Sequence, residues 1–172
     1  LMREFDAIGL KSCQLQANLF ACSAEEAACS SPVFIRRFMN SGLARRIDAY
    51  GLFSESGTAS DMLQEIEEEY GKSSYGKVKY GREELYWMGY LYRYWCYMFD
   101  ESSAHVFKVI GARELHDLYF PYHSLDPEQA IRRIAESKGV VLEEDPIEKG
   151  VKALRKIRRG KGYTYYCIDL GD

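Results

Sequence analysis

Residues 83–99 read EELYWMGYLYRYWCYMF, and no other stretch of the chain limits its fold as tightly. Both tryptophans, Trp87 and Trp95, lie here beside Tyr86, Tyr90, Tyr92, Tyr94, Tyr97 and Phe99. At helical spacing, Leu85, Met88, Gly89, Tyr92, Trp95, Cys96 and Phe99 make one stripe, and Trp87, Leu91, Tyr94 and Met98 make a second. A helix that is bulky nearly all round needs other elements to cover it. The run therefore predicts the central post of a mainly α, single-domain helical bundle.

The same run is not a membrane span. Arg93 interrupts it, Glu83, Glu84 and Asp100 flank it, and tyrosine hydroxyls need partners. Near the start of the chain, Asp6 and Lys11 break up any apolar stretch, so no signal peptide is expected. The cysteines are Cys13, Cys22, Cys29, Cys96 and Cys167, with no C-x-x-C pair among them. They read as reduced thiols serving as small hydrophobes, in keeping with a cytoplasmic protein.

Local signals divide the rest into helices. A first helix is expected over 3–21, with Phe5, Ile8, Leu15, Leu19 and Phe20 near one face. Ser31-Pro32 marks the start of another, with Val33, Phe34 and Phe38 inward, and a short helix follows Gly42. Thr58 or Ser60 caps a helix over 60–70 that ends at Gly71. Residues 71–81 read as an ordered loop pinned by Tyr75 and Tyr80. Ser102 or Ser103 starts a further helix, Ala112 to about Phe120 makes another stopped by Pro121, and Asp126-Pro127 opens a capping box with Gln129. These elements form a core domain over 3–139.

Residues 140–172 change character. Ile147, Val151, Leu154 and Ile157 fall on one helical face, and Lys149, Lys152, Arg155, Lys156, Arg158 and Arg159 cover the other. Residues 163–170 (YTYYCIDL) favour an extended conformation, a small C-terminal β element that could pair with 75–80 or 140–143.

No catalytic signature accompanies this architecture. The histidines, His105, His116 and His123, lack metal-ligand spacing, and no phosphate-cradling glycine motif occurs. The acidic run Glu65–Glu69 reads as a solvated face. No cofactor, metal or enzymatic activity is expected. The net charge of −3 argues against a nucleic-acid coat and leaves room for local basic patches. Residues 31–50 could pass for a helix-turn-helix, with Arg45 and Arg46 on its second helix.

Four segments carry a resemblance: F-I-R-R-F-M (34–39), Y-G-K-V-K-Y (75–80), E-L-Y-W-M-G-Y-L-Y-R-Y-W (84–95) and F-P-Y-H-S-L-D-P (120–127). Through them the chain resembles small proteins of gut Gram-positive bacteria that are labelled antitoxins, over roughly residues 3–138. More loosely, it is similar to phage-borne anti-CRISPR inhibitors. Both resemblances imply a protein that binds a partner macromolecule, a toxin or a nuclease, and blocks it. The expected contacts are Arg36, Arg37, Arg45 and Arg46, with Lys152, Arg155, Lys156, Arg158 and Arg159 on the tail, where nucleic acid could also be met. A DNA-binding regulator using residues 31–50 and the tail is the remaining alternative.

Overall fold

The computed structural model describes residues 2–50, 57–142, 150, 151, 153–155 and 157. Every regular element among them is helical: α1 (Ala7–Glu26), α2 (Ser31–Met39), α3 (Gly42–Tyr50), α4 (Ala59–Tyr70), α5 (Arg82–Phe99), α6 (Ser103–Val109), α7 (Ala112–Asp117), α8 (Tyr119–Tyr122) and α9 (Pro127–Lys138). Residues 2–140 make one compact unit, and 141–172 belong to a second. In the second, residues 150, 151, 153–155 and 157 are helical, and Val151, Leu154 and Ile157 are exposed.

The mainly α architecture built on the aromatic helix stands. Residues 91–99 of α5 are buried without a break. The largest cover is α1, which runs antiparallel to α5: Arg3 N–H donates to Met98 C=O at one end, and Arg82 pairs with Glu25 at the other. The first half of α1 buries small and polar residues, Gly9, Ser12, Cys13, Gln16 and Ala17, and its second half buries Leu19 and Phe20. A Cβ at Gly89 would meet Gln16 O at 2.8 Å and Ala17 Cα at 3.0 Å, so only glycine lets the two backbones approach this closely. Phe20 packs edge-on against Phe34 and Phe38, with centroids 5.5 and 5.3 Å away, and Tyr92 joins them. The Tyr92 hydroxyl donates to Ile110 C=O at 2.8 Å, which makes its burial tolerable.

Several boundaries differ from expectation. α1 starts at Ala7, because the Asp6 carboxylate caps Gly9 N–H at 2.9 Å, and it runs on to Glu26. Ile8 is 51% exposed, off the buried stripe. Ser30 caps α2 and Thr58 caps α4, the latter with a full capping box through Asp61. Pro121 does not follow a long helix. It sits inside the one-turn α8, after α7 has ended at Asp117. The Asp126 carboxylate takes the Glu128 N–H at 3.1 Å rather than building its box on Gln129. No strand occurs among the described residues, and 163–170 lie outside them.

Arg93, the charge inside the aromatic run, is fully buried. Its Nε donates to Gln16 Oε1 at 2.7 Å, Nη1 to Asp48 Oδ1 at 2.6 Å, and Nη2 to Ser103 Oγ at 2.9 Å. Asp48 also accepts the Ser103 N–H and hydroxyl, at 2.8 and 2.6 Å. One guanidinium thus joins α1, α3 and α6 to α5, and each of its partners is itself satisfied.

Candidate functional site

The loop from Gly71 to Gly81 is held by its backbone, not by both its tyrosines. Ser30 N–H donates to Tyr75 C=O at 2.9 Å, and Ser31 N–H to Val78 C=O at 2.8 Å. Tyr80 N–H returns a bond to Ser31 Oγ at 2.9 Å. Gly76 turns the chain at φ +82°, with Ser30 Oγ where a Cβ would stand. Tyr80 is buried and stacks on His116, centroids 3.7 Å apart, while His116 Nε2 pairs with Glu84. Tyr75 does the opposite: its backbone is tied down and its side chain is 76% exposed.

Beside Tyr75 lies an open groove of about 500 Å³, bounded by α2 and α7. Pro32, Val33, Phe107, Gly111 and Ala112 give it an apolar floor, and Arg36 and Arg113 stand on its rim. Both arginines are exposed, and among the described residues neither guanidinium makes a hydrogen bond or ion pair. The single carboxylate of the lining, Glu114, is neutralised by Lys138 Nζ. The groove therefore presents two uncommitted cations and a fixed, exposed aromatic ring. These are the residue types that anchor protein interfaces.

Of the arginines singled out from the sequence on α2 and α3, only Arg36 reaches this groove. Arg37 donates to Gly71 C=O at 2.7 Å and lies over the Tyr70 ring. Arg45 bonds Asn40 C=O at 3.0 Å, and Arg46 pairs with Glu65. These three are committed to their own fold. Arg155 is helical and exposed, whereas Lys152, Lys156, Arg158 and Arg159 lie outside the described residues. From sequence Tyr75 reads as a pin of its loop rather than a contact, and neither Phe107 nor Arg113 is among the expected contacts. Glycines around Tyr75 signalled a turn, but nothing local signals that Arg113 and Arg36 share a groove.

Burial pushes the Cys13 and Cys96 thiols up to about 12, far from a reactive thiolate. The histidines have separate partners: Glu101 for His105, Glu84 for His116 and the Tyr119 carbonyl for His123. No cluster of three or more His, Cys, Asp or Glu positioned for a metal occurs among the described residues. A second cavity, near α4, is lined by Glu26, Glu67 and Glu68 around Leu63 and is acidic where the first is basic. Among the described residues, no helix is long and apolar enough to cross a membrane.

Comparison with protein families, characterised proteins and solved structures finds no match to this chain.

Proposed function

We propose that this chain is a non-enzymatic, antitoxin-like inhibitor that acts in the cytoplasm by occupying a partner protein. The observation that supports this most is Tyr75, a large ring held in solvent by a backbone hydrogen-bonded on both sides of it. A backbone fixed before binding leaves only the ring's own rotamers to be ordered on binding, which limits the entropy lost there. Arg36 and Arg113 beside it supply planar donors suited to carboxylates.

A toxin and an RNA-guided nuclease are both partners of this kind, and the same surface serves either. A DNA-reading role for residues 31–50 draws less support, because Arg37, Arg45 and Arg46 are tied to neighbouring groups of the fold.

The test is capture of partners on the tagged full chain in its native host, followed by titration of the purified partner's activity. One equivalent of the chain is expected to abolish that activity, and Tyr75→Ala to demand a large excess. Loss of activity at catalytic amounts of the chain would point to enzymatic action and overturn the reading, as would a complex unaffected by Tyr75→Ala.

A further inference from the structure

We propose that the groove lined by residues of α2 and α7 and by Tyr75 receives an acidic segment of the partner that carries apolar side chains beside its carboxylates. The inference rests on the inhibitor reading and names what the partner must offer.

Charge carries the first part. Across residues 2–142 the other arginines are mostly committed: Arg3 to Asp100, Arg46 to Glu65, Arg82 to Glu25, Arg93 to Asp48 and Arg132 to Glu128. Arg36, Arg113 and Arg133 have no such partner among the described residues, and the first two line one groove whose carboxylate is already taken by Lys138. An arginine fork binds a carboxylate through two parallel N–H donors, so each rim position selects an acidic side chain in a defined orientation.

Shape carries the second. Alongside the two cations the lining is apolar, with Pro32, Val33, Phe107 and Ala112. Val33 and Phe107 are half-buried, and Tyr75 of the same lining is exposed. A segment that carries apolar side chains beside its carboxylates matches this lining.

Nucleic acid fits less well. Two guanidiniums fall short of the roughly six to ten phosphates that a typical DNA-binding surface neutralises.

The probe is a short fluorescein-labelled peptide that contains both Glu and Leu, titrated against the full chain by anisotropy. Its Lys-for-Glu counterpart and a labelled single-stranded oligonucleotide are titrated alongside. The acidic peptide is expected to bind and the basic one not to. The Arg36→Glu/Arg113→Glu double variant is expected to weaken binding about tenfold or more, and Tyr75→Ala to weaken it several-fold. Circular dichroism checks the fold, and Arg36→Gln/Arg113→Gln serves if the charge reversal perturbs it.

Absence of peptide binding, binding indifferent to both arginine variants, or preference for the oligonucleotide would each overturn the proposal. A partner inhibited equally well by the double variant would leave the inhibitor reading standing and remove this one. Peptide binding by a chain that inhibits nothing would do the reverse.

Discussion

Arg93 shows how one residue can serve two opposite ends. Within the helix it breaks the apolar run that would otherwise suit a lipid environment, and inside the fold it is 1% exposed. Its charge is balanced by Asp48 and its remaining donors by Gln16 and Ser103. A buried charge left without its partner is far more costly than the pair is beneficial. Arg93→Met is therefore expected to cost about 3–5 kcal/mol in urea denaturation, because it strands the Asp48 carboxylate. A loss below about 1 kcal/mol would mean that water reaches Asp48 and takes over the role. Tyr75 is the counterpart at the surface. Its side chain contributes little to the fold, so its replacement should leave stability nearly unchanged while weakening partner binding.

At the scale of elements, the pairing of α1 with α5 decides the fold. Where the first half of α1 meets α5 its buried residues are small or polar while those of α5 are bulky, and at Gly89 the two backbones approach too closely for a Cβ. Gly89→Ala places a methyl group against the Gln16 carbonyl and the Phe20 ring, so the helices must part. Better helix propensity does not offset this, and a net loss of about 1–3 kcal/mol is expected in thermal or urea unfolding.

The start of α1 carries a pH dependence. The Asp6 carboxyl lies below its ordinary value because the Tyr97 hydroxyl donates to it, at 2.6 Å, and then because Gly9 N–H does. Folding thus favours the ionised form. That contribution is complete above the unfolded value of about 4 and is lost as the pH falls through the lower folded value. Asp6→Asn should flatten the dependence of stability on pH as the pH falls below about 4. An unchanged acid-unfolding profile would refute the linkage.

For the whole molecule, residues 2–140 form a unit with its own core, caps and buried polar network. A chain ending after Val140 is expected to keep its helical circular dichroism. It should also melt in one transition with a calorimetric enthalpy of about 100 kcal/mol. A broad transition with a much smaller enthalpy would show that the core needs the residues beyond it.

Most helix starts, the aromatic post and the Gly71 stop are legible from the chain alone. Ser30 caps α2 one residue ahead of the expected Ser31, and the Asp6 cap sets the start of α1 four residues later than expected. Such signals are readable because caps and helical periodicity act within a few residues of one another. The chain by itself determined that an aromatic helix must be surrounded.

Only the tertiary structure decided which polar groups are used up inside and which are left outside. Gln16 meets Arg93 across 77 positions and Asp48 meets Ser103 across 55, so no local pattern announces either contact. For the same reason, four arginines of α2 and α3 look alike in sequence while three are committed and one is available. An arginine's availability depends on whether a distant acceptor lies within reach, and folding alone fixes that distance.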